Sequence, residues 1–333
     1  MARNSRFFPV IHSVLDPIAL LHEVATHYDI GSPAECVLLR SWINEVYRVQ
    51  TSHGQFILKV FRHGWHTPDE VAYEVELMQH LASCNLRVQP PMQTRSGNIQ
   101  LLPAPEGQRP VVLYPMLLGR PPLPPSEAIY HRVGHAIAQM HHALDSFVPT
   151  YPRRALDVHY LAQEPLSWLR PHFTDRQADW NFLVALVERV QIRLEALQQT
   201  GDLSWGPIHG DATLDNMLIT DDDQIGIYDF DQSGPGWRAY ELQGVFYWSQ
   251  EIERPSFWLS LIAGYNSVLP LSDADIAAMP CFPVLNKLWC MGFEAHTIAQ
   301  NSGQWIVDTD YFDKRVAGLR RWATAHSEIS VEL

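Results

Sequence analysis

Short runs of apolar residues set between polar ones mark three early stretches. ECVLLRS (35–41), EVYRVQT (45–51) and QFILKVF (55–61) are rich in β-branched and aromatic residues, so they read as strands. SHG (52–54) marks a turn between the second and third. A helix signal follows. TPDE (67–70) is a capping box, with Thr67 as cap, Pro68 in the first turn and Glu70 three residues on, and it opens a helix. IQLLPAPEGQRPVVLYPML (99–117) reads as two more strands around a turn. The first part of the chain is therefore predicted to be a mostly antiparallel sheet with one prominent helix.

GRPPLPPS (119–126) is a proline-dense break, which divides the chain into 1–118 and 119–333. Beyond it Ile129, Val133, Ile137, Met140 and Leu144 recur at helical spacing after a cap at Ser126. Residues 176–200 read as another helix, ending at Gly201, and the C-terminal part reads as helical and Trp-rich. Between these helical regions, MLIT (217–220) and IGIYDF (225–230) are short apolar strands joined by DDDQ. The expected fold class is α+β, a β-rich N-terminal lobe and a mainly helical C-terminal lobe with a ligand cleft between them.

Composition narrows the classes. The chain has 333 residues, 46% of them hydrophobic, which is ample for a core. Its net charge of −13 argues against a nucleic-acid partner, which needs a basic field. Cys36, Cys84, Cys281 and Cys290 lack CxxC spacing and read as reduced thiols of a cytoplasmic protein. The basic start, MARNSRFFPVIHSVLD, has too short and broken an apolar run for a signal peptide, and no stretch suggests a membrane span.

The acids of IHGDATLDNMLITDDDQIGIYDFDQ (208–232) need an explanation. Asp221, Asp222 and Asp223 suit a solvated turn. With the loop centred between Asp222 and Asp223, Asn216 falls opposite Asp229, and cross-strand neighbours are close enough to share a cation. An amide oxygen and a carboxylate are hard ligands that Mg²⁺ accepts, with water and phosphates completing its shell. Asp211 stands apart, in the loop entering the first strand. A zinc site on His209 and Asp211 would need ligands from elsewhere in the chain.

HGD at 209–211, Asn216, and Asp229 within IYDFD together resemble the aminoglycoside phosphotransferase and choline kinase superfamily, which has a protein-kinase-like fold. The resemblance extends over nearly the whole chain. SWINEVYRV…GQFILKVF is similar to the family's nucleotide-covering hairpin and lysine strand. FRHGWHTPDEVAYEVELMQHL is similar to its glutamate helix, VVLYPMLLGR to its hinge and VGHAIAQMHHAL to the helix after it. The branch that looks closest is stress-response kinase A and type II homoserine kinase.

The resemblance implies an ATP- and Mg²⁺-dependent kinase with a hydroxyl acceptor. A small molecule such as an amino sugar, choline or homoserine is favoured over a protein Ser/Thr; a non-catalytic pseudokinase is the alternative. It implies Lys59 at the nucleotide phosphates with a glutamate partner. Of Glu74 and Glu76, Glu74 falls inside the apolar arc of Val71, Val75, Met78 and Ala82 and so needs a buried cation. Asp211 is implied as the catalytic base, Asn216 and Asp229 as metal ligands, and Tyr114 and Met116 as nucleotide-contacting hinge residues. Asp231 either assists the metal or caps the next turn. His209 reads as structural.

Three departures from the family pattern stand out. The first loop, LLRSWINEV, carries no glycine, which leaves Ser41 and Asn44 as hydrogen-bond donors to phosphate. The metal segment is DFD. Glu241–Leu242 replaces a more usual Asp-Leu and reads as a structural variation. GxxxxGK[ST] is absent, which argues against a Walker-type NTPase. Trp248, Trp258 and Trp289 are candidates to line the acceptor site, though each also suits helix-core packing. The expected assembly is a monomer or homodimer.

Overall fold

A computed structural model describes residues 8–97, 99–299 and 303–331. The first seven residues, where the basic stretch begins, lie outside the described residues. The chain divides into two compact units. One comprises residues 1–120, 147–153 and 220–228; the other comprises 121–146, 154–219 and 229–333.

The first unit is built on a five-stranded antiparallel sheet of order β1-β2-β3-β5-β4. Its strands are β1 (Pro33–Ser41), β2 (Glu45–Thr51), β3 (Gly54–Val60), β4 (Gln100–Ala104) and β5 (Gly107–Pro115). Tyr47, Val49, Leu58, Val60, Val111 and Leu113 form the core of the sheet. Helix α2 (Pro68–Ser83) starts as expected: Glu70 N donates to Thr67 Oγ1 at 3.2 Å and Thr67 N to Glu70 Oε2 at 2.9 Å. Thr67→Ala should therefore lower stability by about 1 kcal/mol, measurable as a shift in denaturation midpoint with an unchanged slope.

The expectation of one helix in this region is too low. Helix α1 (Pro17–His27) precedes the sheet, capped by Asp16, whose carboxylate accepts from Ala19 N at 2.8 Å. Its Leu20 and Val24 join the sheet core. The cue was the Asp16-Pro17 pair, a cap followed by a first-turn proline.

The glycine-free loop between β1 and β2 is braced from below. Asn44 Oδ1 accepts from Arg62 N at 3.0 Å, and Trp42 N donates to Asn44 O at 3.3 Å. The next residue, Glu45, is wholly buried and pairs with Arg109. The Arg109 guanidinium also donates to Phe61 O at 2.8 Å and Ser13 O at 2.9 Å. A buried guanidinium needs such partners for most of its N–H groups.

The second unit is helical around small ribbons. Its helices are α3 (Glu127–Leu144), α4 (Glu164–Leu169), α5 (Gln177–Gln198), α6 (Gln243–Glu251), α7 (Pro255–Asn266), α8 (Asp273–Ala278), α9 (Cys281–Phe293) and α10 (Thr309–Ala325). Ser126 caps α3 by accepting from Ile129 N. Strands β6 (Trp205–Ile208) and β9 (Gly234–Trp237) pair antiparallel, one on each side of the acidic stretch. Strand β7 (Met217–Ile219) closes this stretch of the unit; its partner in the acidic hairpin, β8 (Ile225–Ile227), is counted with the first unit. No helix among the described residues is long and apolar enough to cross a membrane. All four cysteines are free thiols.

The hairpin corrects the expected register. Asp223 N donates to Thr220 O and Thr220 N to Gln224 O, both at 2.9 Å, and Asp223 takes φ 59°. This is a three-residue loop ending in a left-handed bulge residue. Its centre is Asp222, so Thr220 lies opposite Gln224 and the expected pairing of Asn216 with Asp229 is lost; Asn216 lies in a 3₁₀ turn, Leu214–Asn216, ahead of β7. Asp229 has itself left the strand, at φ 64° and ψ 61°.

Candidate active site

In the first unit, β3 directs Lys59 toward α2. Lys59 Nζ lies 3.1 Å from Glu74 Oε1, with both side chains buried. Tyr114 on β5 donates its hydroxyl to the same oxygen at 3.0 Å. A buried carboxylate is stable only with such partners, and this one is held by a cation and a phenol. Tyr114 therefore steadies Glu74. The Met116 N–H, the other hinge group, donates to Gln55 O at 3.0 Å and is already committed to the backbone. Glu76 points elsewhere, accepting from Thr150 N at 3.0 Å. Ser41 ends β1 as an exposed residue paired with Glu45.

In the second unit the HGD loop is shaped by backbone geometry. Gly210 has φ +83°, and a Cβ there would come 2.4 Å from Gln232 O, so only glycine fits. His209 is buried; its ring packs 4.4 Å from that of Phe230, and its Nδ1 accepts from Asp211 N at 3.2 Å. That bond gives His209 a structural part. It also takes up one nitrogen a metal would need. Among the described residues no group of three His, Cys, Asp or Glu converges to hold an ion.

Asn216 closes the loop. Its Nδ2 donates to Asp211 O and to Asp211 Oδ2, both at 2.9 Å. With both amide hydrogens used, Oδ1 is the atom left for a cation. Asp229 stands at the entrance of a 3₁₀ turn, Phe230–Gln232, in a left-handed conformation that costs an aspartate on the order of 1 kcal/mol. Asp231 is buried and lies inside that turn. It was expected to face the same way as Asp229 if the strand continued. The turn removes that premise.

Asp211 keeps an exposed edge, yet protein crowds its carboxyl, and this crowding raises its pKa to about 6. His209 opposes the shift, the negative charges of Asp229 and Glu241 add to it, and the Asn216 bond moderates it. A carboxylate raised in this way is a better proton acceptor near neutral pH.

Glu241 has a larger part than a structural variation. Its Oε2 accepts from His209 N at 3.1 Å and its Oε1 from Gly210 N at 2.6 Å. One carboxylate thus holds the two amides directly ahead of Asp211. Behind it, His141 Nε2 lies 3.8 Å from Glu241 Oε2, while His141 Nδ1 bonds the Tyr265 hydroxyl at 2.8 Å. Burial keeps His141 below the ordinary histidine pKa, against the pull of Glu241. No sequence pattern announces this role, because the partners of Glu241 are backbone amides 31 and 32 residues away.

The three tryptophans are partly exposed and packed on aromatics. Trp248 stacks on Phe257 at 5.9 Å, Trp258 meets Phe246 at 5.0 Å edge-on, and Trp289 stacks on Phe293 at 5.0 Å.

Comparison with known proteins gives this arrangement a context. The sequence profile of the phosphotransferase enzyme family matches residues 35–278. An uncharacterized protein of Deinococcus radiodurans is 38% identical over 97% of this chain and 94% of its own length. A homoserine kinase of Rhodospirillum rubrum is 29% identical over 76% of this chain and 77% of its own. Among solved structures, a microcompartment-associated aminopropanol kinase superposes with a TM-score of 0.71 at 23% identity, covering 93% of this chain and 98% of that one. Amicoumacin kinase, solved with AMP-PNP, Ca²⁺ and Ami, superposes with a TM-score of 0.70 at 19% identity, covering 95% and 93%.

Proposed function

This chain belongs to the phosphotransferase enzyme family and has its kinase-like α+β fold, and from that premise we propose an ATP- and Mg²⁺-dependent kinase for a small hydroxylated molecule. The observation that carries the reading is the pair of hydrogen bonds that Asn216 Nδ2 donates to Asp211. It fixes the base and, in the same contact, turns the remaining amide oxygen of Asn216 into a cation ligand. The donor set suits Mg²⁺: one amide oxygen and the Asp229 carboxylate leave room for water and phosphate oxygens. Bound Mg²⁺ would supply charge neutralisation at the nucleotide phosphates.

The other roles follow from the chain's own groups. Lys59, held by Glu74, pairs with the phosphates. Asp211 accepts the proton of the acceptor hydroxyl and orients its oxygen; the transition state is loose, so positioning outweighs basicity. Asp231, buried in the turn after Asp229, supports that turn. Asn44 fastens the first loop, and Ser41 at its edge is the donor left for phosphate. The names of the solved neighbours, an aminopropanol kinase and an amicoumacin kinase, support a small acceptor over a protein.

The test is ADP release with ATP, Mg²⁺ and a panel of alcohols. The expected result is acceptor-stimulated release that stops when EDTA removes the metal. Nucleotide binding without turnover for any acceptor would replace the reading with a non-catalytic module.

A further inference from the structure

Helix α9 has two unlike faces. At 100° per residue, Cys281, Val284, Leu285, Leu288 and Met291 share one arc, and all are fully buried. The opposite arc carries Asn286, Lys287, Trp289 and Cys290, with Glu294 directly after the helix; each of these is half-buried, while Phe282, Pro283 and Phe293 on the same side are buried. The polar and aromatic groups on this side are thus covered only in part.

That face adjoins Asp211. Asn286 Nδ2 donates to the Tyr240 hydroxyl at 3.3 Å. Burial is the main reason that the Tyr240 phenol and the Cys290 thiol are held above their ordinary pKa values, but both also sense the negative charge of Asp211. On the far side, Trp289 meets Tyr160 at 6.3 Å, and Tyr160 donates to Gln232 Oε1 at 3.4 Å, next to Asp231.

The charges on this face are unevenly committed. Glu294 is taken up by Arg315 at 2.9 Å and by the Tyr311 hydroxyl. Glu241 is taken up by the loop amides. Lys287 is different. Its ammonium rests 3.7 Å over the Tyr247 ring, and no carboxylate among the described residues forms an ion pair with it, although Glu251 is within electrostatic reach. Trp289 Nε1 is likewise a buried donor with no hydrogen-bond acceptor. The face therefore has donors and a cation to offer, while its own carboxylates are occupied. Half-buried donors of this kind gain most from a ligand that brings negative oxygen.

Resting on the kinase reading above, we propose that the half-buried face of α9 is the acceptor wall and that Lys287 selects an alcohol bearing a carboxylate over a cationic amino alcohol. The whole-chain charge of −13 points the other way, toward a cationic acceptor. Net charge sets the long-range field, whereas the pairing of individual side chains sets what the site can hold.

The experiment uses acceptors that differ by one group: 2-amino-4-hydroxybutanoate, its decarboxylated counterpart 3-aminopropan-1-ol, and 4-hydroxybutanoate. The readout is the ratio of kcat/KM between the first and second, from ADP release. The wild-type ratio should be at least about tenfold in favour of the carboxylate, and Lys287→Met should collapse it toward one while Lys287→Arg preserves it. A ratio that favours the amine, or that is the same in wild type and Lys287→Met, overturns the inference and leaves the kinase reading standing. No acceptor-stimulated release from the wild type overturns both. Melting temperature separates a misfolded variant from one with altered selectivity, and Trp289→Phe, which removes the indole donor while keeping an aromatic ring, should lower kcat/KM for the carboxylates more than for the amine.

Discussion

Asp211→Asn should lower kcat by about 10³-fold and, at neutral pH, make the protein more stable. The two effects have one origin. The Asp211 pKa is raised from 3.8 to about 6 by crowding and by neighbouring acids. Between those values the folded state binds more protons than the unfolded one, so stability falls as pH rises through that window. Above about pH 6 the ionised carboxylate is a standing cost; below about pH 4 the cost is gone. Asparagine removes the charge and retains an oxygen that can accept from Asn216. Because part of Asp211 is open to water, the shift is discounted for screening, and the expected gain is about 1 kcal/mol near pH 7.5. Melting temperatures of the two proteins, compared at pH 7.5 and pH 4.5, should differ clearly at the first and by much less at the second. A variant that is less stable at both would mean that Asp211 is structural. The same pKa predicts that wild-type kcat/KM falls on the acid side of about pH 6 as the base becomes protonated.

Glu241→Ala should cost both stability and activity. Two loop amides, the buried His209 N and the half-buried Gly210 N, lose these acceptors at once, and an unpaired buried donor costs about 1–3 kcal/mol. The expected loss is about 3 kcal/mol in urea denaturation, with kcat down by about 10²-fold because Asp211 directly follows the loosened amides. Glu241→Gln is the sharper variant. Its volume is conserved, but its NH₂ faces an N–H where an oxygen was, so it should also lose activity. Full kcat in Glu241→Gln would show that one acceptor oxygen suffices and that the carboxylate does not position the base.

The legible parts of this molecule were written over short distances. Runs rich in β-branched and aromatic residues gave β1, β2 and β3 within two residues of their ends, because such side chains suit a half-buried pleated surface. The capping box at Thr67 and the cap at Ser126 each depend on four consecutive residues. The apolar arc of α2 separated Glu74 from Glu76 by helix geometry alone. Even so, α1 passed unnoticed, although Asp16-Pro17 announces it.

The hairpin shows where local reading stops. Nothing in DDDQ distinguishes an even loop from one with a bulge at Asp223, yet the difference shifts the hairpin register by one residue and undoes the pairing of Asn216 with Asp229. The left-handed Asp229 is sustained by its surroundings rather than by propensity, since an isolated aspartate prefers other regions.

By itself, then, the sequence determined the class of elements, their order, and the HGD, Asn216 and Asp229 set that identifies the family, because periodicity and caps act between near neighbours. Tertiary structure alone decided that Glu241 holds the HGD loop, that Tyr114 bonds Glu74, and that Lys287 forms no ion pair among the described residues. Those facts join residues far apart in the chain, often through backbone amides. Every residue but proline has such an amide, so its hydrogen-bond partner leaves no mark on the sequence.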